Sequence, residues 1–477
     1  MQDNFNRSLL KGTAELPLDN LAGLDEASFD RLSSVDKFLV NDTLLTYATE
    51  TARYPYELYA AGDEKFAWAP AATSGLPERL GHDDFEAAIP LLLQLHIRHK
   101  VLFRPALIIH VFDHRTLWEE YLPYLVRVIR ERGRWLSSAK AEWSWWKTAL
   151  DSNTWQEKGN AERYLYFRLI RHYRKEEAAR LLRSMWQEEA PESKKVLLTL
   201  IRENLHAVDT PLLTELWAEE ALLLKEEIRK LIFLAGAHPE VQSFIARLPD
   251  IVKDFVSWKD HAADLPFVRD LYANTGMKEW PVEWLFFLDP SQLFSPPLNK
   301  WLDKPGKNKA RIDDLLFGAL YKNDRDQLCG LVSKVWEEQP SYRLGSSWII
   351  YFNNLPESVK NELILHLIHT SPGRAVWDFL CHVLTNCLIV MDKKSSGALV
   401  SLARENSEAA GNKALPEAIM KRFCFILHPD FLGDWSDLCE TVIFNDRSLN
   451  YKRLTARIHE LITFRNKLES DFHEASR

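Results

Sequence analysis

WQEEAPESKKVLLTLI, Trp186 to Ile201, is echoed by WAEEALLLKEEIRKLIFLA, Trp217 to Ala235. The two tryptophans lie 31 residues apart, and Lys195 and Arg229, in the helices that follow, lie 34 apart. In both units a Trp-x-Glu-Glu-Ala segment precedes an amphipathic stretch. Leu224, Ile228, Leu231, Ile232 and Ala235 share one face of a 3.6-residue helix. A helix pair recurring at this period hides its apolar face only against the next pair, which is the mark of an α-solenoid of HEAT or tetratricopeptide type. Such stacks need about three units. Helices at 160–174 and 238–248 are candidate neighbours, and two chance amphipathic hairpins are the alternative.

Helical spacing extends well beyond the echo. Leu122, Leu125, Val126 and Ile129 follow i, i+3, i+4, i+7, as do Tyr166, Leu169, Ile170 and Tyr173. Leu454, Ile458, Leu461, Ile462 and Leu468 form a longer stripe. Only SWIIYF, Ser347 to Phe352, looks strand-like, and so short an apolar run is equally a buried helix. Asp209-Thr210-Pro211, His238-Pro239 and Leu355-Pro356 read as helix starts, and Gly236 as a stop. Ala60–His82, rich in Ala, Gly and Pro, reads as a linker. Pro281, Pro290, Pro296, Pro297 and Pro305 forbid one continuous helix across 280–306 and mark the main boundary. The expected fold is all-α: a HEAT-like α-solenoid of helical hairpins with an N-terminal cap region and a C-terminal helical section. The divisions are 1–81 for the cap with its linker, 82–285 for the hairpins and 286–477 for the C-terminal section.

At 46% apolar and 27% charged, the 477 residues have ordinary globular composition and are too many for a single core. The richest aliphatic run, Ala87 to Leu95, is too short to span a bilayer, and MQDNFNRSLL lacks the order of a signal peptide. The expectation is a cytoplasmic protein with no membrane contact. The five cysteines, all in the last third and without a CxxC pair, read as small buried hydrophobes. Net charge is −8, yet 98–183 holds 18 Lys/Arg against 10 Asp/Glu. An excess of that kind is either a solvated helix surface or an attractor for nucleic acid or an acidic partner.

No phosphate-cradling GxxxxGK[ST] or GxGxxG and no GxSxG elbow occurs. HVFDH puts His110 and His114 on one face but has Val111 where a zincin needs glutamate. In HIRHK, His96 and His99 adjoin Arg98 and Lys100, which oppose a dication. His366, His369, Cys381, His382 and Cys387 match no tight zinc spacing. No catalytic residue, metal ligand or cofactor is assigned. The strongest candidate is the aromatic–basic block around RGRWLSSAKAEWSWW, Arg132 to Trp146. Its candidate binding residues are Arg127, Arg130, Arg134, Trp145, Arg168, Arg171 and Lys175. Rings beside arginines bind single-stranded nucleic acid, and they also fill the corners of helical hairpins. On the packing reading Trp135 is buried, Trp143 and Trp146 face one neighbour, and Trp145 lies nearest water.

LLKGTAELPL (Leu9 to Leu18), RYPYE (Arg53 to Glu57), RPALIIHV, the Trp-rich block and the Trp-x-Glu-Glu-Ala hairpins follow one another over roughly residues 5–245. In that order they resemble an uncharacterised bacterial family of helical proteins. Lys11, Ala14 and the segment Ser138-Ala139-Lys140, which lacks the usual asparagine–proline, depart from its pattern. The family's genes tend to neighbour those of SWIM zinc-finger, MoxR-type AAA+ ATPase and von Willebrand factor A-type proteins. The resemblance thus implies a non-catalytic part of an ATPase-associated assembly, with one of those proteins as partner. The expected function is a scaffold or adaptor for another protein; the alternative is a nucleic-acid binder using 98–183.

Overall fold

The computed structural model describes residues 67–475, apart from 71–72, 74–75, 81, 138–139, 151–154, 156–157, 221, 254–257, 274–280, 289–307, 410–414 and 446–450. Most of the cap expected over 1–81, with the segments 9–18 and 53–57, lies outside the described residues, as does most of the proline-rich boundary. The fold is all-α. Among the described residues the one extended pairing is parallel and two residues long, Ala67–Trp68 with Val101–Leu102.

Counting described helices of eight residues or more, α1 is His82–Arg98, α2 Pro105–Asp113, α3 Leu122–Leu136, α4 Asn160–Tyr173, α5 Lys175–Met185 and α6 Pro191–Glu203. Then come α7 Thr210–Glu219, α8 Leu222–Ala235, α9 Pro239–Lys253, α10 Lys309–Tyr321, α11 Arg325–Glu338 and α12 Ser346–Asn354. The remainder are α13 Glu357–Thr370, α14 Arg374–Asn386, α15 Lys393–Ala409, α16 Glu417–Ile426, α17 Leu432–Asn445 and α18 Tyr451–Ala475. Proline occupies the first turn of α2, α6, α7 and α9, where a missing N–H breaks no bond. Gly236, with φ +61°, ends α8 as its composition suggests. SWIIYF is helical: it forms most of α12, burying Trp348 and Phe352 four residues apart.

Packing in the first half is periodic. α4 lies on α6, and α6 on α8. Tyr166, Leu197 and Ile228, then Leu169, Leu200 and Leu231, then Ile170, Ile201 and Ile232, occupy the same places 31 residues apart, and all are buried. A polar rung accompanies each step. The indole of Trp155 donates to Glu189 at 3.0 Å, and that of Trp186 to Glu220 at 2.7 Å. Trp217 donates to Asp270 at 2.6 Å. A cation lies over each ring: Arg163 on Trp155, Lys194 on Trp186 and Lys225 on Trp217. Arg163 and Lys194 also pair with the carboxylate that their own indole contacts. The recurrence therefore has a third member, beginning at Trp155. It escapes the sequence pattern because Lys158-Gly159 stands where the others have Glu-Ala.

The C-terminal section packs along this stack. α12 lies against α6, and Asn354 Nδ2 donates to the Glu203 carbonyl. Asp314 of α10 takes Arg202 of α6 at 2.6 Å and Lys230 of α8 at 3.0 Å. The face a bare stack would leave open is covered there. Neighbour by neighbour, α1, α3, α4, α6, α12, α10, α11, α14 and α16 return to α1, so the helices close a circuit.

The closure rests on buried polar groups. Pro90 lies inside α1, so the Glu86 carbonyl loses its helical donor. Arg422, wholly buried in α16, donates Nη1 to Ala87 O at 2.7 Å and Glu86 O at 3.4 Å. Its Nε and Nη2 reach the carbonyls of Leu384, in the last turn of α14, and Cys387, just past its end. On the surface side Asp84 pairs with Lys421 at 3.2 Å and Arg457 at 2.7 Å. His96 of α1 is buried between Phe103, at 4.5 Å, and Phe472 of α18, at 4.8 Å. Burial pushes its pKa down to about 3, with the Leu92 carbonyl bond opposing and His99 adding to the drop.

Trp186→Phe keeps the ring but leaves Glu220 without an indole donor, and should cost about 1–3 kcal/mol, read as a lower denaturant midpoint; an unchanged midpoint would remove the rung from the stability account. His96 is neutral in the fold, whereas the unfolded chain protonates it near pH 6.5. Its contribution is full above that pH and is lost as pH falls from about 6.5 toward its folded value of about 3. Thermal midpoints of the His96→Leu variant should therefore fall less between pH 7 and pH 4 than those of the parent; parallel curves would contradict this.

Candidate interaction surface

The Trp-rich block is a packed corner. A short turn, Ala141–Trp143, leads into the helix Ser144–Leu150, which lies on α3 and α4. Trp143 and Trp146 both sit 5.7 Å from the Phe112 ring, as a shared neighbour requires. The Trp143 indole donates to Asp113 at 2.7 Å. Gly133 admits the corner: a Cβ there would stand 2.3 Å from Ile129 Cγ2 and 2.7 Å from Trp146 Nε1. Trp145 is the most exposed of these three rings, as expected, but at 5% it is buried, because Phe112 and Trp146 flank it and the Arg115 guanidinium covers it at 5.4 Å, which corrects its place among the binding candidates. The side chains of Arg134 and Trp135 lie outside the described residues.

Two of the candidate arginines point inward. Arg171, on α4, is buried and forks onto Asp209 at 2.5 and 2.8 Å, with a further bond to the Asn204 carbonyl. Asp209 is thereby drawn away from capping α7, which starts beside it with no side-chain cap, and also accepts the His206 N–H. Arg168 forks onto Glu203 of α6 at 2.9 and 3.2 Å. Glu189 takes Arg163, and Glu215 takes Arg183. Four of the eight excess positive charges of 98–183 are thus met by carboxylates from the next stretch of chain. Arg130 stands at a kink within α3, with φ 54° and ψ −144°, a costly backbone state for a side-chain-bearing residue.

What is left is a small polar junction. Tyr173, at the end of α4, donates its hydroxyl to the Pro123 carbonyl, and Tyr124 donates to the Asn353 carbonyl at 2.7 Å. These bonds pin the start of α3, the end of α4 and the end of α12 together. His172 lies 6.0 Å from the Tyr124 ring and 4.7 Å from the Tyr173 ring. Arg127, one turn beyond Tyr124, is exposed, and Lys175 is half-buried at the start of α5. Burial, then the charges of Arg127 and Lys175, push His172 down to about 4, while a bond with the Asn354 side chain opposes them. Burial and Arg171 lower Lys175. Burial holds both tyrosine hydroxyls well above their ordinary range, so they stay protonated donors. Around the neutral imidazole of His172 the junction carries two cations, Arg127 and Lys175. Of the seven candidates it joins Arg127 and Lys175. Sequence reading passed over His172, Tyr124 and Asn354, and took Tyr173 for core.

The other marked residues have local partners. His110 and His114 stack at 4.1 Å, with the Trp118 indole donating to His110 Nδ1. His382 accepts the Leu344 N–H, and His366 faces Asp326. Four cysteines are buried and Cys381 partly so; burial pushes Cys329 up to about 11 and Cys387 and Cys424 up to about 12. Among the described residues no three or more His, Cys, Asp or Glu groups are placed to hold a metal ion.

Arg171→Ala strands the Asp209 carboxylate in the interior, and should cost about 3–5 kcal/mol. Arg127→Ala should stay within about 0.5 kcal/mol, as exposed sites do. Equal unfolding midpoints for the two variants would contradict this division between inward and outward arginines.

Compared with known proteins, residues 40–230 match a family of unknown function (DUF5691), a stretch that takes in the packed corner and all three rung tryptophans. No curated protein and no solved structure matches the chain.

Proposed function

We propose that this protein is a non-catalytic scaffold or adaptor, a HEAT-like stack of hairpins that holds another protein. The observation that carries this reading is the threefold rung of indole, carboxylate and cation. It fixes the register of successive hairpins through side chains between them, and leaves the outward edges to vary. On α6 the outward edge is Glu192, Lys195, Val196 and Thr199, at helical spacing. Val196 is 37% exposed, one of two large apolar side chains open to solvent among the described residues. A stiff frame with mixed polar and apolar edges suits protein recognition. The pairing of Arg163, Arg168, Arg171 and Arg183 with carboxylates favours a protein partner over nucleic acid, whose binding draws on many unpaired cations. The resemblance of the first half to helical proteins encoded beside MoxR-type ATPases and von Willebrand factor A-type proteins makes those the first partners to examine.

Affinity-tagged full-length protein, recovered from its native cells at several salt concentrations, should carry a partner in fixed stoichiometry through size-exclusion chromatography with light scattering. Recovery of the protein alone under every condition overturns the proposal.

A further inference from the structure

The connection between α11 and α12, residues 339–345, is tied to neighbouring elements by a small set of hydrogen bonds. The Tyr342 hydroxyl reaches the Asp313 carboxylate of α10 at 3.1 Å and the Lys309 carbonyl at 3.2 Å. The Gly345 N–H donates to the same Asp313 oxygen at 3.2 Å. The Leu344 N–H donates to His382 Nε2 of α14 at 3.2 Å. Tyr342 and Leu344 are buried, Tyr342 against Trp336 of α11, whereas Arg343 between them is exposed. α12 starts at Ser346, directly after this connection, and its far end holds α3 and α6 through Asn353 and Asn354.

An imidazole nitrogen that accepts from a backbone N–H carries no proton, so neutral His382 holds its proton on Nδ1, beside the Asn386 amide at 3.2 Å. The two side-chain acceptors answer acid differently. A protonated carboxyl keeps an oxygen that accepts, so Asp313 can hold Tyr342 and Gly345 in either form. An imidazolium has donors only. Protonated His382 would meet the Leu344 N–H donor to donor, beside the positive charges of Arg343 from the connection and Lys309 from α10. Asp378, one turn back on α14, is taken by Arg374, and Glu338, at the end of α11, by Lys334. The charges acting on the ring are thus both positive.

We propose that 339–345 is an acid-released strap: neutral His382 latches it, and protonation lets it go, freeing the start of α12 while α10 and α14 stay folded. Burial, then Arg343 and Lys309, push the folded pKa of His382 down to about 4. The latch is complete above the ordinary histidine value of about 6.5. It is lost as pH falls from there toward about 4.

Hydrogen exchange of the full-length protein reads the strap, followed by mass spectrometry on peptides spanning 339–345 and corrected for the intrinsic pH dependence of amide exchange. The corrected rate should rise about tenfold between pH 7 and pH 5, while peptides from α10 and α14 keep their protection. His382→Gln carries an amide oxygen that accepts at every pH, so its strap should exchange at one corrected rate throughout. Arg343→Gln with Lys309→Gln, both at exposed side chains, should keep the strap closed at pH 7 and make the rise smaller, because the imidazolium is then less repelled. A flat profile in the parent, an undiminished rise in either variant, or opening that comes only with loss of protection in α10 and α14 overturns the strap.

Discussion

Three indoles of the stack carry an N–H into the packed interior, and each finds its acceptor in a later stretch of sequence. Trp155, Trp186 and Trp217 reach Glu189, Glu220 and Asp270, and a cation over each ring shields the carboxylate or the ring face. Apolar stripes alone would let α4, α6 and α8 slide by a turn, since Leu and Ile pack tolerably in neighbouring registers. A directed N–H bond at 2.6 to 3.0 Å does not slide. The rungs set spacing, the stripes supply burial, and the two act at the same 31-residue interval.

The second half of the chain turns this stack into a closed object. Asp314 gathers Arg202 and Lys230 from successive inner helices, so one carboxylate bridges two steps of the stack to α10. Asp84 and Arg422 then join the two ends of the described chain, with Arg422 bonded only to carbonyls. A guanidinium with five donors suits such a place better than any other side chain. It satisfies the carbonyl that Pro90 leaves bare and carbonyls at the end of α14 together.

The all-α class, the helix starts at Pro211, Pro239 and Leu355-Pro356, and the stop at Gly236 were legible in the sequence because each rests on local backbone chemistry. Two repeat units were legible because their Glu-Glu-Ala ends match; the unit at Trp155 was not, since its likeness lies in the indole and in positions 163, 166, 169 and 170. The basic excess of 98–183 was real as a count but misleading as a surface. Its carboxylate partners Glu189, Glu203, Asp209 and Glu215 lie beyond the window that was counted. Trp145 shows the same limit: spacing along a short helix cannot reveal that Arg115 closes over the ring from another segment. The junction around His172 was invisible because Asn353 and Asn354 arrive from more than a hundred residues away.

The bond between Arg422 and α1 spans 335 positions. During synthesis α1 leaves the ribosome with a gap in its hydrogen-bond ladder at Pro90 that nothing nearby in the chain can fill. The repeats can assemble as they emerge, each on its predecessor, because their ties reach only one unit ahead. The bond that Arg422 gives α1 cannot form until translation has passed the 422nd codon.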